Sequence, residues 1–321
     1  MSFLPGRWSP ADIPDQSGRL VVITGGNSGI GLEAAKVFAE EGADVLIATR
    51  SAEKGEAAVE QIKAGAAPGA TVWREQLDLA SFASIREFAA GRKADGRPID
   101  TLIANAGIML VPARMLTEDG FELQFQTNFL GHYLLTAELL DLLRAGTNPR
   151  YVSIGSIAIH TSWLNLGDLN SAGSFNSWLV YCQSKLASLM LSMELNRRSR
   201  EGRWGIVSTG AHPGFARTNL QVTGPKMGGA NVSFSELSGK IPLVSHSAYA
   251  GGLPTLMAAT DPSAKGGEYY GPFFEVSGPP ARRPVPLRAR QQSKIDGLWD
   301  AAAKMTGVEW PSGPLPAAAK A

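Results

Sequence analysis

Tyr181-Cys182-Gln183-Ser184-Lys185 places a phenol and an ammonium four residues apart. The surrounding stretch, Leu179 to Arg200, has helical periodicity, so both side chains leave one helix face and can act on one site. Tyrosine ionises near pH 10. For it to exchange protons near neutrality a neighbouring cation must favour the phenolate, and Lys185 is placed to supply that charge. A tyrosine four residues before a lysine is common on helix surfaces, so the surrounding motifs decide whether this pair is chemical. The four histidines, His132, His160, His212 and His246, show no ligand spacing, and the single cysteine, Cys182, reads as a small apolar residue. No metal site is expected.

The second group with chemical meaning is a loop, Thr24-Gly25-Gly26-Asn27-Ser28-Gly29-Ile30-Gly31, between a first strand and a first helix. Glycines there let the backbone approach a pyrophosphate while the helix N-terminus faces its charge, so Gly25, Asn27, Ser28, Gly29, Ile30 and Gly31 are candidate dinucleotide contacts. At the end of the second strand a dinucleotide fold reaches the adenosine ribose, where an acid would select NAD through the 2′-hydroxyl. The residues here are Ala48-Thr49-Arg50. With no carboxylate at Thr49 and a guanidinium at Arg50, a 2′-phosphate is welcome. NADP(H) is therefore the expected cofactor, with NAD(H) as the second choice, and Ser51 and Lys54 are placed to add contacts.

These groups need elements to hold them. Strands are predicted at Leu20 to Thr24, Val45 to Thr49, Val72 to Gln76, Thr101 to Ala104, Tyr151 to Ile154, Ile206 to Thr209 and Tyr269 to Phe273. Helical stretches at Ile30 to Glu41, Glu53 to Ala64, Phe82 to Ala90, Phe121 to Leu143 and Leu179 to Arg200 alternate with them. The alternation predicts an α/β, Rossmann-like, doubly wound, parallel seven-stranded sheet with helices on both faces, in a single domain. The expected division is an N-terminal arm (1–17), a catalytic domain (18–276) with a substrate loop at 219–245, and a C-terminal extension (277–321). That extension is Pro-rich, with a helix near Gln291 to Lys304 and a loose end. Thirty basic residues against 29 acidic ones leave a net charge of +1, too little to grip nucleic acid or anionic lipid. No secretion signal and no run of about 18 apolar residues appears, so a cytoplasmic protein acting on a small molecule, without nucleic acid or membrane, is expected.

The glycine spacing, three residues and then one between Gly25, Gly29 and Gly31, resembles that of the short-chain dehydrogenase/reductase family, and further motifs follow in the family's order from about Gly18 to Phe274. The resemblance implies an adenine contact at Asp78 and Leu79, and cofactor contacts at Asn105-Ala106-Gly107, Pro213-Gly214 and Thr218, beside Tyr181 and Lys185. It implies that Ser156 holds the reacting oxygen, that Asn128 anchors a water beside Lys185, and that Tyr181 exchanges the proton while hydride moves between nicotinamide and a carbonyl or alcohol. Ala104 stands for the family's usual first asparagine, and Gly155 for the first of two usual serines.

The 25-residue interval from Ser156 to Tyr181 and the run Asn128-Phe129-Leu130-Gly131-His132 are similar to the retinol-dehydrogenase-like branch, which includes relatives of protochlorophyllide reductase. Members often form dimers or tetramers. Met109, Trp163, Trp178 and Phe215, with Ser156, are candidates for an apolar pocket suited to an uncharged, fairly bulky carbonyl or alcohol, although each is also readable as core. Two other readings stay open at this stage: a non-catalytic NADP(H)-binding sensor or scaffold, and a sugar-nucleotide epimerase or dehydratase on the same fold.

Overall fold

Short β-branched runs pair side by side in the computed structural model, which describes residues 8–217 and 245–315. The strands are β1 (Leu20–Thr24), β2 (Asp44–Thr49), β3 (Val72–Gln76), β4 (Thr101–Ala104), β5 (Arg150–Ile154), β6 (Val207–Ala211), β7 (Tyr269–Pro272) and β8 (Pro280–Arg283). They form one sheet in the order β3-β2-β1-β4-β5-β6-β7-β8. All neighbours are parallel except β7 and β8. The order of addition reverses at β1, with β2 on one side and β4 on the other, which opens a crevice at the carboxyl ends of β1 and β4 where ligands of such folds sit.

The helices are α1 (Gly29–Glu40), α2 (Ala52–Lys63), α3 (Phe82–Asp95), α4 (Leu123–Phe125), α5 (Gly131–Glu138), α6 (Leu140–Ala145), α7 (Ser177–Gly202), α8 (Ala248–Thr260) and α9 (Gln292–Thr306). Successive β1 side chains point to opposite faces, so Leu20 and Val22 join one buried cluster and Val21 and Ile23 the other. Because both faces are covered, the strands read as continuous apolar runs.

Two expectations are corrected. The sheet has eight strands among the described residues, because Pro280–Arg283 pairs antiparallel with β7, with Tyr270 opposite Arg282. An edge strand needs only one side of its backbone for the ladder, so the prolines that hid it are tolerated. The helix expected from Phe121 to Leu143 is broken into α4, a π-helical turn at Gln126–Leu130, α5 and α6. At Gly131 the helix passes so close to the chain that a Cβ would lie 2.6 Å from the Leu79 carbonyl oxygen. Beyond Pro286 the C-terminal residues are part of the packing: Trp299 and Trp310 close on Tyr133 with ring centroids 5.0 and 5.6 Å away, and Arg198 lies 4.4 Å over Trp299.

Candidate active site

At the end of β1 the chain turns through Gly25 (φ 65°) and Gly29 (φ 59°), conformations that side chains resist. The Gly25 N–H donates to Ala48 (2.8 Å), and the Asn105 amide donates to the Thr24 carbonyl (2.8 Å), so the ends of β1, β2 and β4 are tied into one rim. A Cβ at Gly31 would collide with the Asn105 amide, and one at Gly107 would reach Asn128 Oδ1 (3.0 Å) and Lys185 Nζ (3.2 Å). The Ser28 hydroxyl makes no capping bond, which leaves the first amides of α1, those of Gly29, Ile30 and Gly31, to face an anion. Asn27 lies in the same loop. A cradle that glycine alone fits, opening on a helix N-terminus, suits a dinucleotide pyrophosphate.

The Thr49 side chain is buried, and its hydroxyl donates to the Ser51 carbonyl (3.2 Å) rather than facing the crevice. The Arg50 carbonyl accepts from the Gln76 amide (2.8 Å), while the Arg50 side chain is exposed and pairs with no acid among the described residues. Across the rim, Asp78 Oδ1 accepts the Ala80 N–H (2.9 Å), and the buried Leu79 backs onto Gly131.

On α7, Tyr181 and Lys185 are 4% and 3% exposed. The α7 N-terminus is fixed by Asn176, whose side chain accepts the Leu179 N–H (3.0 Å). Burial pushes the Tyr181 phenol up to about 12, partly offset by a hydrogen bond with Ser156. Burial pushes Lys185 down to about 8, and its Nζ donates to the Ile154 carbonyl (2.9 Å). The expected lowering of Tyr181 by Lys185 is therefore not the dominant effect in the protein alone; desolvation wins. Ser156, in extended backbone at the end of β5, also accepts the Ala158 N–H (3.2 Å). Gly155 stays small for a reason: a Cβ there would lie 2.9 Å from Ile159 and 3.3 Å from the Tyr269 hydroxyl. Asn128, in the π turn, clamps the Ile108 backbone (2.8 and 2.9 Å) and donates to Ser184 (2.8 Å). Single π turns concentrate at functional sites.

Pro213-Gly214-Phe215 leaves β6 as a braced turn. Its Phe215 N–H donates to Val276 (2.8 Å), and its Pro213 carbonyl accepts from His246 (2.6 Å). His212 Nδ1 accepts the Gly214 N–H (3.3 Å), so the ring proton sits on Nε2, 3.4 Å from Glu275 Oε2. The histidine, joined by Arg283, holds the Glu275 carboxyl down at about 2. Glu275 itself has φ 65°, a strained turn residue missed at the level of sequence. Thr218 and nearly all of the 219–245 loop lie outside the described residues.

Of the pocket candidates, Met109 packs against Ala158, Tyr181 and Cys182, and the Trp178 ring lies 5.8 Å from that of Tyr181. Phe215 is half-buried. Trp163 is 72% exposed beneath Arg288, 4.3 Å over its ring, so it belongs to the rim rather than the interior. Also missed was the buried His132, bonded to Thr24 and to Asn128. Its place directly after Gly131 was visible, but metal spacing was the wrong question to ask of it.

A parallel sheet with this strand order, a glycine cradle at its switch point, and Ser156, Tyr181 and Lys185 gathered at its rim define a nucleotide-dependent oxidoreductase. The short chain dehydrogenase family profile matches residues 19–227, and the chain belongs to that family. Retinol dehydrogenase 13 of Homo sapiens is 38% identical over 307 residues, 95% of this chain and 88% of the relative. Polyprenol dehydrogenase of Mus musculus is 37% identical over 68% of this chain and 65% of its own length. A crystal structure of an uncharacterised protein from Mycobacterium Paratuberculosis superposes with a TM-score of 0.77 at 35% identity, covering 95% of this chain and 99% of that one. Within the family the chain falls in the retinol-dehydrogenase-like branch. Such enzymes act on small molecules with NAD(P)(H). No helix among the described residues is long and apolar enough to cross a membrane.

Proposed function

We propose that the protein transfers hydride between NADP(H) and an uncharged, fairly bulky, apolar alcohol or carbonyl. The Tyr181 phenol hydrogen-bonded to Ser156, with Lys185 one helical turn further on and its ammonium beside Gly107, carries this reading. Gly25 to Gly31 would hold the pyrophosphate, Asp78 and Leu79 the adenine, Asn105 to Gly107 and Pro213-Gly214 the nicotinamide half with Thr218, and Arg50 the 2′-phosphate. When bound, the cofactor supplies the hydride and, oxidised, a positive charge. In reduction Ser156 steadies the carbonyl oxygen and Tyr181 gives it a proton. Lys185 would hold the ribose, and the proton that Tyr181 gives up would be replaced by a relay past Lys185 and Asn128. A phenol displaced to about 12 stays protonated but is a weak acid. The positive charge that an oxidised nicotinamide would bring as hydride leaves it would favour phenolate, easing the proton transfer in reduction and supplying the base for the reverse.

Met109 and Trp178, both against Tyr181, would offer an apolar wall that suits hydrocarbon, and the half-buried Phe215 would extend it from the turn after β6. The names of the relatives, retinol and polyprenol dehydrogenases, support a long isoprenoid alcohol or aldehyde as substrate.

Cofactor choice is tested by comparing kcat/KM for NADPH and NADH in wild type and Arg50→Ala. The expectation is a clear NADPH preference that falls about 10–100-fold on removing the guanidinium, the worth of charge-assisted hydrogen bonds. Preference for NADH in the wild type would reject the assignment. Thr49→Asp is a poorer probe, because the buried threonine shapes the turn from within.

A further inference from the structure

The Thr24 hydroxyl accepts two backbone bonds, from the N–H groups of Asn105 and Ala106 (both 3.0 Å). Its proton is therefore free to be donated, and His132 Nε2 lies 2.9 Å away, nearer than the alternative Ile103 carbonyl at 3.4 Å. The other ring nitrogen, Nδ1, lies 3.0 Å from the Asn128 carbonyl, which can only accept. These two contacts fix the ring as the neutral Nδ1–H tautomer, and at 3% exposure water does not compete for either nitrogen. Ser188 Oγ, at 2.9 Å from the same Asn128 carbonyl, completes its surroundings. Asn128 in turn clamps Ile108, next to Gly107, and bonds Ser184, one residue from Lys185.

We propose that His132 is a positioning residue which couples the two halves of the site. Its Nε2 side holds Thr24, and with it the glycine cradle and the Asn105-Ala106 segment. Its Nδ1 side holds the π turn that aims Asn128 and the catalytic face of α7. The imidazole does this because it alone spans both partners with an acceptor on one end and a donor on the other. The role rests on the functional reading above.

Two amides split the roles. In His132→Asn the side-chain nitrogen falls near the Nδ1 position and keeps the Asn128 link while losing Thr24. In His132→Gln the terminal oxygen reaches the Nε2 position and keeps Thr24 while losing Asn128. Binding of NADPH by calorimetry and turnover of a hydrophobic aldehyde are measured for both, together with Tm. The expected result is opposite bias: Gln loses about tenfold in kcat with at most a threefold change in NADPH Kd, and Asn loses mainly NADPH affinity, about fivefold or more. Nitrogen-15 spectra of the wild-type imidazole, assigned by its loss in His132→Asn, should show a proton on Nδ1 and a bare Nε2 at pH 6. If kcat and Kd move in parallel with Tm in both variants, or do not move, or if Nε2 carries the proton, the coupling role is overturned while the enzyme assignment stands. A wild type that binds neither NADPH nor NADH would overturn the functional reading and this role with it.

Discussion

Lys185 shows how one residue carries both a cost and a function. Its ammonium is desolvated in the folded chain and pushed down to about 8 from an unfolded value of 10.5. Between those values the unfolded chain holds the proton and the folded one does not, so stability rises with pH across that window. Below pH 8 the burial cost is fully present. The difference in Tm between wild type and Lys185→Met should therefore shift in favour of the wild type as pH is raised from 8 to 10.5. Thermal melts across that range check it, and a constant difference would mean Lys185 is better solvated than its surroundings imply. At this scale the sequence was informative where spacing alone carries geometry: Tyr181 and Lys185 had to share a helix face. It was silent on Glu275 and on the Thr24–His132 contact, whose partners lie far apart in the chain. The tyrosine shift was misjudged because burial, which outweighs the lysine charge, is a property of the packed site.

The π turn and α5 form the element that brings Asn128, Gly131 and His132 together. At Gly131 the backbone is an ordinary right-handed helix (φ −62°), so glycine is needed for space rather than for conformation. A methyl there would press on the Leu79 carbonyl oxygen at 2.6 Å and its Cβ at 2.9 Å. Gly131→Ala should lower unfolding free energy by about 1–3 kcal/mol, the usual cost of overpacking. Urea titration measures it, and an unchanged midpoint would show that Leu79 yields freely. Apolar periodicity between Phe121 and Leu143 correctly marked a buried helical stretch but could not reveal the extra residue in its middle, because a π turn leaves no compositional sign. The strands of the central sheet were legible to within two residues at each end, since residues buried on both faces leave an unbroken apolar run.

For the whole molecule, the C-terminal residues are structural partners of the catalytic core. Trp299, 6% exposed, touches Tyr133 on α5 and Trp310. Trp299→Ala should cost about 3–5 kcal/mol of stability. Denaturant unfolding tests this; a cost below about 1 kcal/mol would mean the tail packs loosely. The helix expected near Gln291 to Lys304 is present as α9, an amphipathic helix buried through Ile295, Leu298, Trp299 and Ala302. The sheet and the glycine rim meet at one crevice, and the central claim concerns what happens in it. The most direct test follows NADPH absorbance with a panel of hydrophobic aldehydes, isoprenoid ones included, for wild type and Tyr181→Phe. The account predicts turnover of the hydrophobic aldehydes by wild type and a fall in kcat of about 10²–10⁴ in the variant, with NADPH binding retained. Near-normal turnover by Tyr181→Phe, or activity confined to small charged hydroxy or keto acids, would contradict it.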